Sequence, residues 1–111
     1  MSGLPMKEKG EFLENTVGDI FTNWGFEVQK RVRMKDKFDT EHEIDVLATK
    51  KEAFGSVVVA IECKYVAAPV DIKELRNFHD KLSTLSITKG IFVSTGGFTR
   101  DAEGHASAMG I

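Results

Sequence analysis

Glu62 and Lys64 stand two apart in an otherwise oily run, Val57-Val58-Val59-Ala60-Ile61-Glu62-Cys63-Lys64-Tyr65, and Asp45 interrupts an earlier one, Ile44-Asp45-Val46-Leu47-Ala48. An ionised group among valines and isoleucines is costly unless it is paired or bound to a metal. An ordinary core strand avoids that cost. Three charged groups on two apolar segments therefore point to a divalent-metal site with a lysine beside it, a combination suited to hydrolysing a phosphodiester. The plainer alternative pairs Asp45 with Lys64 as a salt bridge and needs no metal.

In an extended strand, residues two apart share a face and lie about 6.5 Å from one another. Glu62 and Lys64 should therefore point the same way, with Cys63 on the other side and its backbone carbonyl available. Asp45, on a neighbouring antiparallel strand, can face the same spot. Two carboxylates, a carbonyl and water form a hard oxygen set that suits Mg²⁺. Such an ion polarises a phosphate oxygen and makes water a nucleophile at neutral pH, while Lys64 could stabilise the developing negative charge or orient the water. Glu14 lies at the edge of the first helix's apolar stripe, given about 100° of turn per residue. It is the acid of that helix best placed to ligate a metal, hold a water or hydrogen-bond Lys64.

The elements that must hold these groups can be read from the hydrophobic period. Leu13, Val17, Ile20, Phe21 and Trp24 recur at helical spacing between residues 7 and 24, and Gly25 ends that helix. Phe26, Val28, Val32 and Met34 then alternate with polar residues as a half-exposed strand. A polar turn over 35–40 leads to a second strand near 43–49, and the Gly55 turn to a third over 57–65. That strand is apolar on both faces and should be central and covered on both sides. Pro69 to Glu74 opens a second helix with a stripe of Ile72, Leu75, Phe78, Leu82 and Leu85. Gly90 leads into a strand at 91–94, parallel to the third through a βαβ crossover, and a short helix follows from about Thr99. The order is αβββαβα: an α/β class with a mixed central sheet flanked by helices.

The chain has 111 residues, 41% hydrophobic and 29% charged, which fits one domain over 1–111 with a single core. Gly110-Ile111 reads as the approach to a further strand, so a C-terminal strand is expected to be missing. No apolar run reaches the ~20 residues of a membrane span. The first residues lack a signal peptide's apolar core, and a single cysteine excludes an internal disulfide. These features point to the cytoplasm. The net charge of −2 counts against a dedicated nucleic-acid binder and predicts weak, metal-dependent affinity. Arg31 and Arg33, within a basic stretch from Lys30 to Lys37, could track a DNA backbone or merely block edge pairing. Thr95 and Gly96 could offer N–H groups to a phosphate, with Arg100 beside them. A plain strand-to-helix turn and a solvated arginine explain the same residues. His42, His79 and His105 lack zinc-ligand spacing; His42 lies near Asp45, and His79 beside the buried stripe reads as structural.

Asp45 followed by Glu62-Cys63-Lys64 resembles the D…(D/E)-x-K signature of the PD-(D/E)xK nuclease superfamily, and the chain most resembles Mrr-type restriction endonuclease domains. Gly10-Glu11-Phe12-Leu13-Glu14 with Trp24-Gly25-Phe26-Glu27-Val28 is similar to that family's first helix and strand. Glu43 to Ala48 is similar to its metal-aspartate strand, and Gly90 to Thr99 to its fourth strand and the following turn. The resemblance implies a restriction-endonuclease-like fold and a Mg²⁺-dependent endonuclease, Mn²⁺ substituting. Asp45, Glu62 and Lys64 would form its core, Cys63 would lend a carbonyl, and Glu14 would be the helix carboxylate. DNA is the implied substrate, cut by a homodimer or with a partner or appended recognition domain. The chain departs from the family in carrying Glu62 where Gln is common, Glu43 where glycine is common, and no separate recognition domain. A Holliday-junction or other structure-specific nuclease of the same fold, and a non-catalytic DNA-binding or assembly module, are the alternative readings.

Overall fold

A computed structural model describes residues 6–111. Helix α1 (Met6–Asn23) leads into three antiparallel strands, β1 (Glu27–Lys35), β2 (Glu41–Glu52) and β3 (Gly55–Lys64). Helix α2 (Ile72–Thr84), β4 (Lys89–Ser94) and α3 (Arg100–Ala106) follow, and a 3₁₀ turn covers Ser107–Met109. The sheet order is β1-β2-β3-β4, with β4 parallel to β3. The structure thus has the anticipated class, element order and crossover. The β1–β2 and β2–β3 hairpins run further than the hydrophobic alternation shows, because backbone pairing continues through the polar residues at both tips.

Local chemistry sets the helix ends. Gly25 adopts φ 91°, so Phe26 N–H reaches the Phe21 carbonyl at 3.0 Å and Gly25 N–H that of Thr22 at 3.0 Å. That left-handed cap turns the chain into β1. α2 begins at Ile72, not at Pro69, because Asp71 caps it: its carboxylate accepts the Glu74 N–H at 2.9 Å. Leu75, Phe78 and Leu82 are its buried stripe. On α1 the stripe is narrower than the sequence period implies. Val17 and Phe21 are buried, whereas Ile20 and Trp24 remain 42% and 61% exposed; Trp24 lies past the helix and only edges onto the Phe21 ring.

Two clusters cover the sheet's two faces. Val17 and Phe21 pack on Val46, Ala48, Val59 and Ile61; Phe78, Leu82 and Ile87 pack on Ile44 and Ala60. β3 is therefore covered on both sides, as its apolar run requires. One irregularity matters for the site. Val46 belongs to the α1-side cluster and Ile44, two residues earlier, to the α2-side cluster. Val28 and Val32 of β1 divide in the same way. Regular alternation cannot do this. The change of face falls at Arg31 and Asp45, the pair missing from the ladder between Lys30↔Val46 and Val32↔Ile44, and Arg31 has φ 53°.

Candidate active site

The pleat reversal explains how Asp45 is aimed. The β2–β3 ladder ends at Val46↔Ile61; beyond it the Asp45 carboxylate takes the place of a backbone acceptor and receives the Cys63 N–H at 2.9 Å. This bond ties the aspartate of β2 to the middle of the Glu62-Cys63-Lys64 triplet. Burial pushes the Asp45 carboxyl above its usual range, and the Cys63 N–H only partly offsets it. Glu62 is also pushed up, first by burial and then by the charge of Asp45. The structure thus brings the two carboxylates together. Cys63 turns its thiol toward the α1-side core, where burial and the nearby carboxylates raise it to about 12. Such a thiol is no nucleophile at neutral pH.

Glu62 and Lys64 face a cleft of about 320 Å³ under α2, also lined by Glu74, Asn77, Phe78 and Lys81. Asp45 is not among its lining residues. Lys64 pairs with Glu74, not with Asp45 or Glu14. Glu62 faces Lys81, whose ammonium lies 3.6 Å from its Oε1 and donates to the Glu43 carbonyl at 2.9 Å. Glu74, Asn77 and Lys81 are the functional candidates that sequence reasoning missed. Their i, i+3, i+7 spacing marks one helix face, but only the packing of α2 shows that this face overhangs the carboxylates.

The other expected residues are placed differently. Glu14 keeps a side chain only 12% exposed and accepts from Arg31 Nε at 3.1 Å. Its carboxylate therefore meets the arginine at the pleat reversal instead of Lys64. Arg31 also contacts Glu11, and Arg33 pairs with Glu41 and Glu43, so neither guanidinium stands clear of carboxylates. The Thr95 hydroxyl accepts the Val66 N–H at 2.9 Å and donates to the Val66 carbonyl at 2.8 Å. Gly96 N–H donates to Ser94 Oγ at 3.2 Å. The Thr95 hydroxyl thus braces the 65–71 segment that leads into α2, while the Gly96 N–H closes a local turn on Ser94. Arg100 is exposed at the start of α3. His42 bonds Asp36 at 2.8 Å, away from Asp45.

Among the described residues no three His, Cys, Asp or Glu side chains converge as a metal-holding group. Any ion here would rest on the two carboxylates, backbone oxygen and water, a set that suits Mg²⁺ or Mn²⁺ better than zinc. Glu62 Oε1 is buried and lacks a hydrogen-bond partner. The Lys81 ammonium at 3.6 Å compensates its charge without a hydrogen bond, and an ion in coordination range would satisfy the oxygen directly. The donor set fits a hard divalent ion.

A mixed four-stranded sheet between helices, with Glu62 at the end of β3 and Asp45 of β2 bonded to the neighbouring Cys63 N–H, defines a restriction-endonuclease-like α/β domain. The restriction endonuclease family model of Mrr catalytic type (Mrr_cat) matches residues 6–111, and the chain belongs to that family. The fold is similar to the crystal structure of AF1548, a protein of unknown function, with TM-score 0.78, 23% identity and 90% of this chain covered. The match covers 54% of that chain, so this domain spans about half the length of its structural relative. No curated protein matches the sequence. No helix of the described residues is long and apolar enough to cross a membrane.

Proposed function

We propose that this domain is a Mg²⁺-dependent endonuclease that hydrolyses DNA phosphodiester bonds in the cytoplasm, with Mrr or type IV restriction character. The observation that carries the reading is the buried, unpartnered Glu62 Oε1 beside Asp45. Asp45, Glu62 and the Cys63 carbonyl would hold the ion. When bound, the ion polarises the scissile phosphate and activates water. Lys64, on the cleft side of β3, would leave Glu74 for the phosphate and stabilise its added charge in the transition state. Glu14 holds Arg31 at the pleat reversal and so supports the orientation of Asp45. With one site per chain, cutting both strands calls for a homodimer or a partner protein.

The test is cleavage of supercoiled plasmid in Mg²⁺, Mn²⁺ or EDTA by the wild type, Asp45→Ala and Lys64→Ala. Nicking should require the metal and fall about 100-fold or more in each variant. Absence of cleavage together with absence of Mn²⁺ binding by calorimetry would sink the catalytic reading.

A further inference from the structure

We propose that Lys81 is a positioning residue that stands in for the divalent cation at Glu62 and, once the cation is bound, turns to a DNA phosphate in the same cleft. This rests on the metal reading above and adds a residue to it. Phe78 and Leu82, buried on α2, fix the turn that carries Lys81 over the end of β3. Its ammonium is tethered to the Glu43 carbonyl at 2.9 Å and stands 3.6 Å from Glu62 Oε1. That separation gives charge compensation without a hydrogen bond, so the oxygen stays unpartnered. An ion within coordination distance would satisfy that oxygen better than the lysine does. The same ion would repel the ammonium.

The alternatives open to a displaced Lys81 are few. Before DNA arrives, Lys64 holds the Glu74 carboxylate and Asp45 would belong to the ion, so neither carboxylate is open to Lys81. The cleft contains Lys64, Asn77 and Lys81 as hydrogen-bond donors, a set that suits a phosphate. A lysine's four-carbon stem is flexible enough to make the exchange.

The experiment compares wild type with Lys81→Met, Lys81→Gln and Lys81→Arg. Gln keeps a donor for the Glu43 carbonyl without the charge, which guards against misfolding in the Met variant. Calorimetry with Mn²⁺ and fluorescence anisotropy of a DNA duplex in Ca²⁺ give two readouts independent of turnover. Loss of the charge should tighten Mn²⁺ binding on the order of three- to tenfold, as expected for a half-buried ion pair. It should also weaken DNA binding and make its salt dependence shallower by about one phosphate contact. Lys81→Arg should behave like wild type in both. A merely structural lysine would weaken both or neither. Unchanged or weaker Mn²⁺ binding in the Met and Gln variants, with wild type binding normally, overturns the exchange alone. A wild type that binds no Mn²⁺ overturns the metal reading and this proposal with it.

Discussion

Carboxylates in this molecule are displaced in opposite directions by their surroundings. Asp45 and Glu62 are pushed up because burial strips water from them. Asp36 is held below its usual range, chiefly by its hydrogen bond with His42 and also by the N–H groups of Thr40 and Phe38. Those bonds tie the β1–β2 turn. A depressed carboxylate binds its proton less readily in the folded state than in the unfolded one. Its contribution is therefore fully present above the unfolded value of about 3.9 and is lost as pH falls through the lowered folded value. Asp36→Asn should melt below wild type at neutral pH, and the gap should narrow progressively as the pH is lowered through the acid range below about 5. Thermal melts across that range check it; a gap of constant size would show that the ionised form is irrelevant.

Elements position the site through the braces between them, and at Gly96 backbone packs directly on backbone. A Cβ there would collide with the Ala68 carbonyl and come within 2.9 Å of Val66 O, both backbone atoms that cannot swing aside. Gly96→Ala should cost about 1–3 kcal/mol and lower any cleavage activity, because the displaced segment leads into α2 and its cleft face. Gly104→Ala, where a Cβ meets nothing within 4 Å, should be neutral or stabilising; denaturant melts of the two separate local collision from general loss of glycine. The same braces mark the limit of what the sequence discloses. Strands and helices are legible because apolar period and burial coincide at Val17, Phe21, Leu75, Phe78 and Leu82. Asp45, Glu62 and Lys64 are legible because charge inside an apolar strand is costly. The pleat reversal at Arg31 and Asp45 leaves no periodic trace, since alternation looks regular until the two clusters assign the faces. Lys81 and Glu74 read as ordinary helix-surface charges, and only tertiary packing brings them to Glu62 and Lys64. Thr95-Gly96 looks like a phosphate turn, but the Thr95 hydroxyl and the Gly96 N–H are already bonded to Val66 and Ser94.

For the molecule as a whole, the question is how a chain of net charge −2 would hold a polyanion. The basic stretch on β1 does not settle it. Arg31 and Arg33 are paired with glutamates, Lys35 with Asp39, and Lys30 with the Asn15 amide oxygen. These contacts neutralise much of the stripe and leave Lys37 against the Phe38 ring. The carboxylates of Glu62 and Glu74 in the cleft, with Asp45 behind Glu62, repel a phosphate further. A divalent ion between Asp45 and Glu62 would reverse the local sign and, through the exchange proposed for Lys81, add a second positive contact. Duplex DNA binding, read by anisotropy in cation-chelated buffer, should therefore be weak and strengthen at least about tenfold in Ca²⁺, with a shallow salt slope near that of three phosphate contacts or fewer. Asp45→Asn should lose the Ca²⁺ gain while keeping the weak basal binding. Tight binding in EDTA with a steep salt slope would mean that the β1 arginines leave their glutamates for the backbone, and that affinity here comes from a basic surface instead of the metal site.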